Sequence, residues 1–425
     1  MPLNLRNSHA TAWLVPMLYA FGSLLLGFTL PRLTCTVLPG FLSSVGVNAA
    51  IGIYSAVASG MIALTGIVFS LTFLMVQFSA TAYSPRLVVW IARDPVMSHS
   101  MGVFTATFLY AIAALAWVDR GSSGRVPLAG TLLVTALLIV SVIMFIILLQ
   151  RVGMLQVDRM LIFTADQGRK TIESLYPPIS TPPSEDSTGI AQSACVQTLV
   201  HHGRPRILQE VDISSLVELA SQSNCTIALL PSVGDSALDA APVLRVFGPG
   251  GPILEKKLRA ALRFGRERVF TEDPKYAIRL LVDIAIKALS AAINDPTTAV
   301  QALDQIEDLL LRLGRCRLEI GNFRDPAGTS RFLMSFPDWD DFLGLAFDEI
   351  RFYGANSIQV MRRMKAVVNG LIAMLPEERQ PALRRWQERL QFTVDHSFVD
   401  QVDRSEASAE DRQGLGSSHR RSERH

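Results

Sequence analysis

Charge is what this chain is short of, and only at one end. Of its 425 residues 40 are Lys or Arg and 38 are Asp or Glu. The first 150 hold only eight of these: Arg6, Arg32, Arg86, Arg93, Asp94, Asp119, Arg120 and Arg125. The rest of the chain carries about the quarter of charged residues usual in soluble proteins. A purely soluble enzyme and a disordered chain are thereby excluded. Cysteine is scarce too. Cys35, Cys195, Cys225 and Cys316 are scattered and include no C-x-x-C pair, which argues against a disulfide framework and a zinc site. Three of them lie in the polar part, which suits a reducing compartment.

Other absences narrow the chemistry. The seven histidines form no H-E-x-x-H, and the adjacent His201 and His202 read as an exposed turn. No G-x-S-x-G elbow, P-loop, G-x-G-x-x-G or kinase set occurs. No catalytic constellation is visible, and neither a cofactor nor a metal is expected. Beyond residue 150 the balance is 34 basic to 36 acidic groups, so the electrostatic footprint of a nucleic-acid binder is missing.

What is present is apolar length. Four uncharged stretches, 13–30, 52–76, 101–118 and 128–149, approach or exceed the roughly 20 residues that cross a bilayer. The first has no A-x-A cleavage site and reads as a retained helix. The expected fold class is therefore membrane α-helical, with four transmembrane helices in 1–150. Arg6, Arg86, Arg93, Arg151 and Arg159 on one side outweigh Arg32, Arg120 and Arg125 on the other. By the positive-inside rule both termini are expected in the cytoplasm.

In the second span Ser55, Ser59, Ala63 and then Gly66 and Ser70 recur at four-residue spacing, with Gly60 alongside. Small residues on one stripe let helix backbones approach closely. The stripe fits packing within the four-helix bundle first, and otherwise a subunit interface or a pore lining. None of the four stretches holds Asp, Glu, Lys, Arg or His, which weighs against proton-coupled transport. After this span Gln77, Tyr83 and Arg86 mark either an interfacial collar at headgroup level or a pore mouth.

The polar part begins with a helical stalk and a Pro/Ser-rich linker over 151–193, containing PPISTPPSEDSTG. A small β-rich module is expected over 194–251, from short apolar runs bounded by turn residues. Its outline is like that of lipoyl- or biotinyl-carrying modules, but it contains no lysine to modify. An α-helical cytosolic domain should follow over 252–402, and a disordered tail over 403–425. Two consecutive helices open alike, at Asp273-Pro274 and Asp295-Pro296: Asp to cap the first amides, Pro where no amide hydrogen is missed. The joint before the second, with Asn294, Asp295, Thr297 and Thr298, is either such a cap or a polar ligand site at a helix amino terminus. Exposed apolar residues on the Leu345 or Met361 faces would mark a docking surface.

Three blocks carry a resemblance: TGIVFSLTFLMVQFSATAYSPRL with ARDPVMSHSMGVFTATFLYAI, then FGRERVFTEDPKYAIRLLVDIAIKALSAAINDPTTAVQALDQIEDLL, then LAFDEIRFYGANSIQVMRRM. Together the chain resembles the bacterial predicted membrane proteins catalogued as domain-of-unknown-function family 2254, from the first span to about residue 390. The resemblance implies a bacterial four-span membrane protein with a cytoplasmic carboxy-terminal region; the expected location is the bacterial inner (plasma) membrane, multi-pass. It transfers no activity and no site residues. The chain departs from the family at Pro231-Ser232-Val233-Gly234-Asp235, where a P-G-D-F-V turn is expected. Three functions compete: a membrane-anchored scaffold or sensor with a partner-binding helical domain, an oligomeric channel or passive conduit with a cytosolic cap, and a membrane enzyme on a lipid-soluble substrate. The partners to expect are the lipid bilayer, further copies of the chain and a cytosolic protein, with no nucleic acid.

Overall fold

The computed structural model describes residues 8–37, 42–43, 46–82, 95–120, 126–153, 157–180, 194–270 and 272–416. It divides into two compact units, Met1–Gln156 and Val157–His425. Tyr83 and Arg86 lie outside the described residues, as does most of the Pro/Ser linker.

The first unit contains the helices α1 (Ser8–Val37), α2 (Val47–Ala82), α3 (Pro95–Arg120) and α4 (Leu128–Gly153). Three of them contain stretches long and apolar enough to cross a membrane: Val47–Leu74, Pro95–Val118 and Ala129–Gln150. In α1 the apolar stretch is shorter, Leu14–Leu30. Three spans and a shorter apolar helix thus stand where four spans were expected. Two short strands, β1 (Leu42–Ser43) and β2 (Val126–Pro127), pair antiparallel with Leu42 opposite Pro127. This pairing ties the connection between α1 and α2 to that between α3 and α4, at one end of the bundle.

Helix α3 is the centre, with 56% of its span buried against 22% for α2 and 17% for α4, and it packs on all three other helices. Tyr54, Met61 and Val68 of α2 meet Phe104, Tyr110 and Ala114 of α3 in the core. Polar groups inside are tied across helices. Tyr54 shares a 2.9 Å hydrogen bond with Thr131, and Thr107 one of 2.9 Å with Ser141. Each such bond in a bilayer contributes about 0.6–2 kcal/mol. Outside, Phe21, Ile62, Phe69, Phe73, Leu132 and Ile139 are all exposed. A surface this apolar is incompatible with water and suited to hydrocarbon.

The second unit opens with α5 (Val157–Leu175). The helix expected here as a stalk packs as a core helix, because Met160, Leu161, Ala165, Gly168 and Ile172 lie on one buried stripe. They pack on α8 (Pro274–Ala288) and α9 (Pro296–Gly314). At Gly168 a methyl group would sit 2.9 Å from the Ala277 Cβ, so only glycine permits this approach.

The β part holds two sheets. The larger has the order β3 (Cys195–Val200), β7 (Pro242–Phe247), β5 (Thr226–Leu229), β10 (Ser330–Leu333), β9 (Asn322–Arg324). All its pairs are antiparallel except β5 with β10, where Phe332 stands opposite Ile227. The smaller sheet runs β6 (Ser236–Ala237), β4 (Arg206–Val211), β8 (Leu262–Gly265). Helix α6 (Ile213–Gln222) buries Leu216 and Ala220 in the core between these elements, and α7 (Glu255–Ala260) adds Leu258. The β part therefore extends past residue 251, taking β8 and a hairpin that arrives after two intervening helices.

The remaining helices are α10 (Trp339–Tyr353), α11 (Ile358–Met374), α12 (Gln380–Ser397) and α13 (Gln401–Ser408). Arginines clip neighbouring helices together. Arg169 of α5 reaches Asp308 of α9 at 2.6 Å, and Arg279 of α8 holds Glu349 of α10 at 2.7 and 3.0 Å. Arg363 of α11 reaches Asp304 at 2.7 Å and also pairs with Glu307. The acidic face of α9 thus serves its neighbours rather than solvent alone. Disorder was expected from 403, but α13 is capped by Asp400. Beyond it, the buried Asp411 accepts the amides of Gln413, Gly414 and Gly416. Its carboxylate organises a turn that a polar, glycine-containing sequence otherwise leaves open; residues 417–425 lie outside the described set.

Candidate functional site

The residues singled out from sequence fall in separate places. On α2 the face carrying Ser59, Gly60, Ala63, Gly66 and Ser70 is exposed and Ser55 is half-buried. The opposite face, with Tyr54, Val57, Met61 and Val68, fills the core. A methyl group on Gly60 or Gly66 would meet nothing within 4 Å. The small residues are therefore not spent on packing inside this unit. The Ser59 hydroxyl bonds the Ser55 carbonyl of its own helix, which satisfies it locally. Gln77 is exposed on the last turns of α2.

At the polar joint, Asp295 caps α9. It accepts the Thr298 amide at 3.1 Å and the Thr298 hydroxyl at 2.6 Å. Asn294 takes a left-handed conformation, φ 48°, which asparagine tolerates better than most residues. Asn294 and Thr297 face solvent. The geometry is that of a capped turn. Met361 is buried and Leu345 half-buried, so those faces belong to the core; the exposed aromatic pair is Phe352 with Tyr353 at the end of α10. Among the described residues no group of three or more His, Cys, Asp or Glu is placed to hold a metal. His201 is buried and bonded to the Arg204 carbonyl at 3.0 Å, while His202 is exposed.

The unusual chemistry lies at the start of α8, where the helices meet the β part. Asp273 is the residue before Pro274, yet its side chain makes no capping bond. It is only 2% exposed, and among the described residues neither carboxylate oxygen has a hydrogen-bond partner. Nearby, Tyr176 just past α5 is also buried, its hydroxyl without a partner among the described residues. Its ring is set edge-on against Phe336 and Phe342. From the β side, Gly234 closes in with φ 92°, and a methyl group there would fall well inside van der Waals contact of the Asp273 Oδ2. The turn is fixed by its own bonds: the Gly234 amide donates to Leu208 at 2.8 Å, and Asp235 accepts the Ser232 amide at 2.8 Å.

The segment between β8 and α8 is anchored around this carboxylate. Thr171 of α5 donates to the Phe270 carbonyl at 2.8 Å. Glu272, with φ 64°, accepts the Val211 amide at 3.1 Å. Both anchors fix the chain just before Asp273. Burial pushes the Asp273 carboxyl up to about 6 from its ordinary value near 3.8; the charges of Lys275 and Arg268 and the nearby amides of Tyr276 and Lys275 pull it down less. Burial also raises the Glu272 carboxyl and the Tyr176 hydroxyl, and the latter is raised further by the Asp273 and Cys316 charges. Burial thus holds this carboxyl toward its neutral form. Sequence reasoning absorbed Asp273 into a helix-cap pattern; the flagged turn at Gly234 was the one signal leading here.

Residues 9–369 match the family described as "Predicted membrane protein (DUF2254)". The chain is 28% identical over 374 residues to an uncharacterised protein of Mycobacterium bovis, covering 83% of this chain and 70% of that protein. It is equally similar to an uncharacterised protein of Mycobacterium tuberculosis, with 28% identity over the same shares of each chain. No solved structure matches it. The chain belongs to the DUF2254 family of predicted membrane proteins.

Proposed function

We propose that this member of the family is a membrane-anchored sensor. Four spans tether it in the bacterial inner membrane with both termini on the cytoplasmic side, and its second unit reports protonation to a cytosolic partner. Counting α1 as a span rests on its apolar stretch Leu14–Leu30, and the orientation rests on the arginine balance of the short loops. One observation carries the sensor reading: the buried, unpartnered Asp273 at the meeting of β part and helices. When Asp273 is neutral, the Gly234 turn and the start of α8 pack without an uncompensated charge. When it ionises, the charge is buried at a desolvation cost that Lys275 and Arg268 offset only in part, and the join between the β part and the helices of the second unit loosens. The exposed Phe352 and Tyr353 at the end of α10 are the apolar surface offered to a partner.

Hydrogen exchange on the full chain in lipid nanodiscs tests this. At about pH 7.5, peptides covering 231–237 and 268–276 exchange faster than at about pH 5 once intrinsic rates are normalised. Asp273→Asn removes the difference. Equal protection at both pH values in the unaltered protein would end the sensor reading.

A second reading, an oligomeric conduit, is favoured by the outward small-residue face of α2. Its glycines are open to a neighbour of the same kind, and a ring of such helices would place Ser59 and Ser70 near its axis.

A further inference from the structure

Helices α1 and α3 touch closely at two points and part between them. On Gly102 of α3 a methyl group would lie 2.6 Å from the Tyr19 ring; on Gly27 of α1 it would lie 2.6 Å from the Ala113 Cβ. Both contacts require glycine and hold the two backbones together. Between them, a methyl group on Gly22 would meet nothing within 4 Å. The gap is a crevice of about 360 Å³, lined by Leu18, Gly22 and Leu26 of α1, Ala106 of α3, and Leu133 and Leu137 of α4. Tyr19, Ser23 and Tyr110 also line it: the Ser23 hydroxyl is spent on the Ala20 carbonyl at 2.9 Å, the Tyr19 hydroxyl shares a 3.2 Å hydrogen bond with His99, and the Tyr110 hydroxyl is buried without a partner among the described residues.

We infer that this crevice is a binding site for the hydrocarbon chain of a membrane lipid. Three features select that occupant. The lining is apolar, and the flanking Leu18 and Leu26 are exposed on the face suited to hydrocarbon. An α-helix with its side chains is about 10–12 Å across, too wide for a slot bracketed by two glycine contacts, so a neighbouring helix does not enter it. The volume also fits. An apolar cavity of about 150 Å³ takes one benzene ring, so about 360 Å³ takes a linear chain of about a dozen carbons. Because the closures at Gly27 and Gly102 fix the helix separation, the gap cannot be removed by a small rotation, and a flexible chain fills it best. The site rests on α1 lying in the bilayer, as proposed above.

The test uses the full chain in phosphatidylcholine nanodiscs doped with a diazirine-bearing palmitic acid, irradiated, digested and mapped by mass spectrometry. Label is expected on the crevice residues of α3 and α4 at several-fold the level on Phe69 and Phe73 of α2, which are simply lipid-exposed. Gly22→Phe fills the crevice from an unobstructed position and should bring that label down to the α2 level, leaving α2 unchanged; Gly22→Leu should act in the same direction. Label no higher in the crevice than on α2, or unaffected by either substitution, overturns the site. Crosslinks between copies through α1 overturn it in favour of a second chain. Gly22→Cys separates this failure from that of the four-span reading: reaction with a membrane-impermeant maleimide from either side places α1 outside the bilayer, whereas silence with no crevice label refutes the lipid site alone.

Discussion

Asp273 and Asp295 each stand before a proline at the start of a helix, and elementary capping rules assign both the same role. Asp295 performs it; Asp273 does not. The difference is tertiary, because the Gly234 turn and Tyr176 surround Asp273 from other parts of the chain, and no local pattern records that. The consequence for stability has a definite sign. A carboxyl whose folded value is raised to about 6 holds its proton in the folded state after the unfolded chain has lost its own. Stability from this group is therefore full below about pH 4 and is lost as pH rises through about 6, by about 3 kcal/mol in all. Asp273→Asn should match the unaltered protein in acid and exceed it in stability at neutral pH, as read by chemical denaturation of the second unit within the full chain at several pH values. Gly234→Ala is expected to destabilise at every pH, by about 2 kcal/mol or more, since it combines positive φ with a collision at the carboxylate.

At the scale of elements, the long helices were legible because their apolar residues repeat at helical spacing over several turns. In α9 the stripe Val300, Leu303, Ile306 and Leu310 is buried as that spacing requires. The hairpin of β9 and β10 was not legible, since strands of three and four residues give too few alternations to outweigh their surroundings. Nor was the packing of α5, which looked like a continuation of the preceding apolar helix until its buried stripe was seen against α8 and α9. Caps are where element rules become numbers. Asp295→Ala removes the acceptor for the Thr298 amide at 3.1 Å and should lower the stability of the second unit by about 1 kcal/mol. Thermal unfolding followed by circular dichroism would show it. A larger loss confined to function would instead mark the joint as a ligand site.

For the whole molecule, the open question is what the outward face of α2 meets. A helix that buries Tyr54, Met61 and Val68 on one side already has its place in the bundle, so the small residues on the other side are free to serve a second interface. Close approach between helices in a bilayer depends on such residues because lipid supplies no hydrophobic driving force between them. Gly60→Leu with Gly66→Leu tests this without threatening the fold, as neither position has a neighbour within 4 Å to collide with. If α2 joins copies of the chain, the double variant should elute in nanodiscs or mild detergent at a smaller mass by light scattering, while helix content and protection of the second unit stay as before. An unchanged mass would assign the face to lipid and remove the conduit reading, which needs a ring of copies. A reduced mass with the pH response of Asp273 intact would instead make the two units separable, one assembling the protein and the other sensing.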